Sequence, residues 1–509
     1  MLSVFDKGPF LPCPVPFNMA AHVLRRAEDC AEKVALSVIG GGSETSMTYG
    51  ELTSAVLGLA QGFLEQGLNP GDLIVLRLGN TADYPIAHLA AIAAGMVSVP
   101  TSSQLTDPEV NKIYADLDPA LVLHCEGVAL GNPPCPVLTE TDLVSLKKRP
   151  PAQFHMGDAN RPAYIVYTSG TSGQPRAVMH AHRAIWARQM MIRDWYDLKS
   201  TDRLLHAGAF NWTFTMGTGL LDPWSVGATS LILAPGTDLA DLPDILRQHR
   251  ATLFAAAPGV FRKLLQTEGA LTLPDLRHAL SAGEKLPARQ REQWQRRTGT
   301  NIYEAFGMSE CSTFISQAPH VASDPASLGH PQTGRKVAIV TSGGPVPLGD
   351  IGQIAVHRDD PGLMLGYVNA PAETEARFKG DWFLTGDLGC MAKNGCIHYQ
   401  GRADDMMNAG GFRVSPVEVE QALSTMPGLH QIAVTEVEIK ADTHVIAAFF
   451  IADDSVTIES IEAFAKSVLA RYKQPRLFIK VSSLPTNPNG KLNRKRLRAA
   501  YEASSNGSD

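Results

Sequence analysis

The chain's strongest chemical signal is a run of hydroxyl side chains and glycines, Tyr167-Thr168-Ser169-Gly170-Thr171-Ser172-Gly173-Gln174-Pro175-Arg176. Glycines let backbone N–H groups close around an anion with no Cβ in the way, and the Ser and Thr hydroxyls add further donors. Arg176 supplies a positive charge at the end of the run. That combination suits a polyphosphate. The phosphate loop G-x-x-x-x-G-K-[ST] is absent, so the run is not of that type. A flexible Ser/Gly/Thr linker is the competing reading, and the surrounding elements have to decide between them.

A phosphate-gripping loop needs a rigid base, and Tyr164-Ile165-Val166-Tyr167 directly before it predicts a strand. Other short apolar runs bounded by turn residues lie at Leu73 to Leu76, Val97 to Pro100, Leu121 to Leu123, Ser230 to Leu233 and Leu253 to Ala255. Helical stretches such as Tyr84 to Ala94 and Pro258 to Leu265 separate them, which predicts parallel sheets covered by helices. The texture changes near Gly401-Arg402-Ala403-Asp404-Asp405. Beyond it come a helix signal from Pro416 to Met426, a strand-like Ala447 to Ile451 and an amphipathic stretch from Ile458 to Leu469. We therefore expect an α/β chain with a large domain over 1–403 and a small α+β domain over 404–509, joined by a polar hinge.

A length of 509 residues exceeds what one hydrophobic core usually serves, in keeping with two domains. With 44% hydrophobic and 19% charged residues and a formal charge of -6, disorder, coiled coil and collagen are excluded, and nucleic acid is not an expected partner. The short basic run Arg494-Lys495-Arg496 reads as a solvated helix face. Seven cysteines, odd in number and without repeated C-x-x-C spacing, read as reduced thiols rather than a zinc site. Met1 to Phe17 lacks the basic start and apolar run of a signal peptide, and no stretch approaches the roughly 20 apolar residues of a membrane span. The expected location is cytoplasmic.

Together with the blocks that follow it, the loop resembles the adenylate-forming superfamily of acyl-CoA synthetases, firefly luciferase and peptide-synthetase adenylation domains. The family's loop reads Y-T-S-G-T-T-G-x-P-K-G, and here Ser172, Arg176 and Ala177 stand for its Thr, Lys and Gly. Ser281-Ala282-Gly283-Glu284 and Tyr303-Glu304-Ala305-Phe306-Gly307-Met308-Ser309-Glu310 look like the segments enclosing adenine. The resemblance implies that Phe306 stacks on the base, Ser309 meets the phosphate, and Glu310, with Thr168, holds Mg²⁺ through hard oxygens. Thr385-Gly386-Asp387 resembles the ribose-binding turn, and Arg402 would reach the nucleotide. Asp404 would be the hinge pivot, and Gly410, Gly411 and Arg413 would border the pantetheine arm of coenzyme A. Leu484-Pro485-Thr486-Asn487-Pro488-Asn489-Gly490-Lys491 is similar to the block carrying the family's catalytic lysine, here Lys491. The fold so implied adds a smaller barrel-like sheet region to the large domain and makes the C-terminal domain mobile.

The activity implied is AMP-forming acyl-CoA synthesis, with ATP, coenzyme A and a small-molecule carboxylic acid as partners and a homodimer left open. Gly352-Gln353-Ile354-Ala355-Val356, Leu365-Gly366-Tyr367 and Gly380-Asp381-Trp382-Phe383 are closest in wording to medium-chain and benzoate-type synthetases. The acyl pocket is expected from Phe210, Trp212, Phe214 and Thr218 with Gly283 and Met308. Ala209 to Gly219 holds no charged residue, so an apolar or aromatic acid is expected. The competing readings are a stand-alone adenylating enzyme that loads a carrier protein and a nucleotide-sensing protein without catalysis.

Overall fold

The computed structural model describes residues 1–41, 44–168, 176–266, 271–322, 324–403, 405–409, 412–440, 443–469, 471–486 and 492–505. One nine-stranded and two seven-stranded sheets make up the N-terminal part. The first runs in the order Gly366–Tyr367, Arg176–Ala181, Pro162–Thr168, Val97–Pro100, Leu73–Arg77, Leu121–His124 and Val137–Thr139, parallel except at the Arg176–Ala181 and Gly366–Tyr367 edge. Its strands read as continuous apolar runs because both faces are covered. Ile74 and Leu76 pack with the helices Tyr49–Glu65 and Asp83–Ala93, whereas Val75 packs with Val110, Ile113 and Leu117 of Asp107–Leu117. A capping box between Thr48 and Glu51 starts the first of these helices.

A nine-stranded sheet follows the same logic, with Arg203–His206, Thr229–Leu233, Leu253–Ala256, His278–Ala282 and Ile302–Met308 parallel at its centre. Leu204, Leu253 and Leu280 face one core cluster, and Leu205, Phe254 and Ala279 the other. The third sheet, Val4–Asp6, Lys336–Thr341, Gly344–Pro345, Gly352–His357, Phe378–Lys379, Trp382–Met391 and Ile397–Arg402, is antiparallel throughout. Trp382–Met391 alternates buried and half-buried residues along its length, as a strand with one covered face should.

Beyond Arg402 no strand joins these sheets among the described residues. The hairpin Leu429–Lys440 with Thr443–Ala452 takes Leu477–Lys480 as a parallel neighbour, and the helices Pro416–Leu423, Ile458–Val468 and Arg494–Ser505 accompany it. The elements expected from sequence are present, with ends moved by one to four residues. One reading is corrected. Arg494 is not part of a solvated face, because its guanidinium takes both Glu420 oxygens at 2.8 and 2.7 Å and the Val434 carbonyl at 3.1 Å. Its side chain is 18% exposed. Among the described residues no helix is long and apolar enough to cross a membrane.

Candidate active site

Strands Pro162–Thr168 and Arg176–Ala181 pair antiparallel, with Thr168 opposite Arg176. The two ends of the phosphate-loop run thus leave the same rung of a ladder. Ser169, Gly170, Thr171, Ser172 and Gly173 lie outside the described residues. The Arg176 guanidinium meets the Glu373 carboxylate at 2.7 Å, and the Tyr167 hydroxyl donates to Asp116 at 3.2 Å.

Parallel pairing of His278–Ala282 with Ile302–Met308 sets Ala282 beside Ala305, so Gly283, Glu284, Ala305 and Phe306 emerge together at the carboxyl ends of two neighbouring strands. Open α/β sheets bind ligands at such ends. The Phe306 ring lies 5.5 Å from Phe314 and 6.0 Å from Tyr399. A side chain at Gly307 would place its Cβ 2.3 Å from the Ser312 carbonyl oxygen, so the backbone there can pass only as glycine. Glu304 belongs to the same strand, two residues before Phe306. Its buried carboxylate pairs with Lys285 at 2.9 Å and Arg291 at 3.0 Å and accepts from the Leu286 N–H. The Lys285 and Arg291 ion pairs and the Leu286 N–H hold this side chain in the core.

Glu310 follows the strand end, where the Tyr367 hydroxyl donates to its Oε1 at 2.7 Å. Burial, then the neighbouring carboxylate, raise the Tyr367 pKa, which keeps that phenol a donor. Oε2 has no partner among the described residues. Magnesium commonly binds one carboxylate plus substrate phosphates and water, and an open carboxylate oxygen with the Thr168 hydroxyl fits such a mode. No group of three or more His, Cys, Asp or Glu side chains able to hold a metal occurs among the described residues, so a cation here would depend on the phosphates for ligands.

Thr385-Gly386-Asp387 is not a turn between elements, as its composition suggested. It lies inside Trp382–Met391 as a bulge, since Leu384 and Leu388 face Ala355 and Gln353. Bulges re-aim side chains. The Thr385 hydroxyl accepts from the Asp387 N–H at 3.0 Å and donates to the Ile354 carbonyl at 2.8 Å, which fixes the bulge. Asp387 then accepts from the Tyr399 hydroxyl at 2.9 Å and from Arg402, its cross-strand neighbour, at 3.4 Å. Tyr399 thereby joins the Phe306 ring to the Asp387 carboxylate. Sequence reasoning missed it, because cross-strand register, not a local pattern, brings it there.

A narrow cleft runs inward beside Ser309, the neighbour of Glu310. Apolar groups of Met19, Pro100, Val166, Ile185, Phe210, Met216 and Leu221 line it, together with Tyr164, His180, Arg188 and Ser312. Of the residues expected at the acyl pocket, Phe210 is there, whereas Trp212, Phe214, Thr218, Gly283 and Met308 are not in this lining. Thr215–Leu221 is a π-helix, whose wider turn changes which side chains share a face. Phe214, at its start, stacks instead on Trp195 at 5.8 Å and meets His206 edge-on at 4.4 Å. Thr218 sits one layer back, bonded to the Tyr196 hydroxyl at 2.9 Å. Ala209 to Gly219 brings no charge to the lining, but Arg188 reaches the cleft from the helix Ala184–Met191, outside that segment.

Asp404, Gly410, Gly411 and Lys491 lie outside the described residues. Arg413 is opposite Asn408 in the pair Met407–Ala409 and Phe412–Val414. On either side of the hinge block, the Ser415 hydroxyl donates to the Gln400 carbonyl, and Arg494 reaches Asp405 at 3.6 Å.

Residues 23–368 match the family model for AMP-binding enzymes, and 418–491 match that for the AMP-binding enzyme C-terminal domain. The human mitochondrial acyl-coenzyme A synthetase ACSM3 is 27% identical, over 96% of this chain and 90% of its own length. A 4-hydroxybenzoate–CoA/benzoate–CoA ligase of Rhodopseudomonas palustris is 30% identical, over 89% of each chain. The crystal structure of ATP-bound MatB from Rhodopseudomonas palustris superposes with a TM-score of 0.86 at 26% identity, covering 96% of this chain and 99% of that one.

Proposed function

The chain belongs to the AMP-binding enzyme family, and from that premise we propose an AMP-forming acyl-CoA ligase that takes a carboxylic acid with an apolar or aromatic body. The observation that carries the reading is convergence. The base of the phosphate loop, the Glu310 carboxylate braced by Tyr367 and the Asp387 bulge braced by Tyr399 belong to or directly follow strands of three different sheets, which the Tyr367–Glu310 hydrogen bond and the Phe306–Tyr399 ring contact link together. The relatives named as CoA ligases favour free coenzyme A over a carrier protein as acceptor.

In the first half-reaction an oxygen of the acid attacks the α-phosphorus of ATP, and the bond to pyrophosphate breaks. In the second, the coenzyme A thiolate attacks the acyl carbonyl carbon and AMP leaves with the former carboxylate oxygen. Most of the protein's work is holding two anions together and neutralising charge that shifts between them. Thr168 and the loop after it cradle the leaving phosphates, Arg176 exchanges Glu373 for them, and Lys491 meets the reacting carboxylate. Mg²⁺ held by Glu310 and Thr168 would supply further neutralisation of the phosphate oxygens. Phe306 stacks on adenine beside Gly283, Glu284, Ala305 and Gly307, Ser309 meets phosphate, and Asp387 with Arg402 holds the ribose. The boundary between residues 403 and 404 separates the domains, Asp404 is the pivot between the two half-reactions, and Gly410, Gly411 and Arg413 border the pantetheine arm.

The reading is tested by coenzyme A-dependent release of AMP from ATP, screened over aliphatic and aromatic acids. Release with at least one acid, dependent on both acid and thiol, is expected. ATP consumption independent of coenzyme A would exclude it. Tyr399→Phe should raise the KM for ATP by about tenfold, the value of one hydrogen bond to a charged group. An unchanged KM would separate Asp387 from the nucleotide.

A further inference from the structure

Arg188 is a cation in the wall of an otherwise largely apolar cleft, with a side chain only 8% exposed. On the ligase reading above, we propose that Arg188 and His180 select an acid whose apolar or aromatic body carries an uncharged hydroxyl group.

The guanidinium is held in place by a network from four elements. Nε donates to Asp222 Oδ1 at 2.9 Å and Nη2 to Oδ2 at 2.5 Å. The Tyr196 hydroxyl donates to the same Oδ2 at 2.8 Å, and Thr218 adjoins both. Nη1 reaches the Ser312 hydroxyl, at a non-glycine residue with φ of +60°. Left-handed backbone at such a residue persists only where its surroundings enforce it, and such strain clusters at ligand sites. Gly217 completes the seat, because a Cβ there would lie 2.2 Å from Nη2. Burial works against the charge, but Asp222 and Tyr196 outweigh it, so the guanidinium stays cationic.

Two features of this wall point to the ligand. Nη1 carries two protons, and Ser312 is its sole acceptor among the described residues. On the same lining, His180 Nε2 lies 2.7 Å from the Ser309 carbonyl oxygen. A carbonyl can only accept, so Nε2 carries the proton and Nδ1 presents a lone pair. Nδ1 is buried without a partner among the described residues. Beside the Asn211 and Thr213 side chains, this wall therefore holds one donor, the second Nη1 proton, and one acceptor, His180 Nδ1, that have no partner among the described residues, the pair that a hydroxyl uses. A carboxylate in its place would be mismatched. Asp222 already neutralises Arg188, and a buried third charge would have no counterion. A plain hydrocarbon would leave Nη1–H and Nδ1 dry and unsatisfied.

The test compares benzoic and alkanoic acids with their hydroxyl-bearing analogues and with diacids of matching length, by kcat/KM for coenzyme A-dependent AMP release. The wild type should favour a hydroxyl-bearing acid over its unsubstituted counterpart by about tenfold or more, and disfavour the diacid. Arg188→Met alone would strand Asp222, so the variant is Arg188→Met with Asp222→Asn, and Gly217→Ala displaces the guanidinium independently. Both should collapse the hydroxyl preference toward unity. The ratio is the readout because general damage to packing lowers both rates together, and Gly217→Ala carries the test if the double variant does not fold. Release with an equal ranking of acids in the wild type and a folded variant would overturn the assignment. No release with any acid would overturn the ligase reading, and this inference with it.

Discussion

Lys491→Ala should lower adenylate formation by about 100-fold or more, the effect of removing one preorganised transition-state donor, while sparing thioester formation from a supplied acyl-adenylate. The asymmetry follows from where the lysine lies in the chain. Lys491 is within the stretch 418–491 that matches the C-terminal domain, while Glu310, Asp387 and Thr168 belong to the N-terminal sheets. On the proposed rotation about Asp404, a charge carried on the turning domain would meet the carboxylate in one pose only. Pyrophosphate exchange measures the first half-reaction, and coenzyme A consumption from synthetic acyl-adenylate measures the second. Equal loss in both would mean that the lysine serves a site common to the two poses.

Acidification from pH 7.5 to 5 should remove most of the folding stability. Burial lowers the pKa of His22, His88, His182 and His206 to about 3, and of His180 and His278 to about 4. Unfolded, each returns to about 6.5 and takes up a proton that the native state refuses. The unfolded chain thus binds more protons, and stability falls as pH drops below 6.5 and continues to fall toward 4 and 3. Each histidine contributes about 2 kcal/mol to that loss at pH 5. Six such groups rival the roughly 5–15 kcal/mol that hold a typical domain together. His22 shows why protonation is so unfavourable, since its Nε2 accepts from the Arg25 guanidinium at 2.6 Å and a charged ring would repel it. A melting temperature that stays level between pH 7.5 and 5 would refute this reading, and one that falls monotonically would support it.

Several parts of the molecule were legible in the sequence because their physics is local. Strands covered on both faces must be apolar throughout, so Leu73–Arg77, Leu121–His124 and Leu253–Ala256 announce themselves. The order of blocks through Glu310, Asp387 and Lys491 identifies the reaction class. What chain neighbours alone can specify, a linear reading recovers.

The rest depended on which residues distant in sequence meet. Tyr399 reaches Asp387 through the register of an antiparallel pair, and Tyr367 reaches Glu310 across 57 positions of chain. Glu304 is held in the core by Lys285, 19 positions before it, and by Arg291. Trp212 and Phe214 were read as pocket rings from size and spacing, but a π-helical turn sends Phe214 into the cluster with Trp195 and leaves Phe210, Met216 and Gly217 to line the cleft. Arg188 reads in sequence as an ordinary helix arginine. Only Asp222, 34 positions on, makes its burial tolerable and turns it into part of the wall. Sequence determined the chemistry, because a reaction's groups are carried by residue types in order. Tertiary structure decided what the cleft offers to an acid, because buried polar groups take their meaning from partners that no local pattern names.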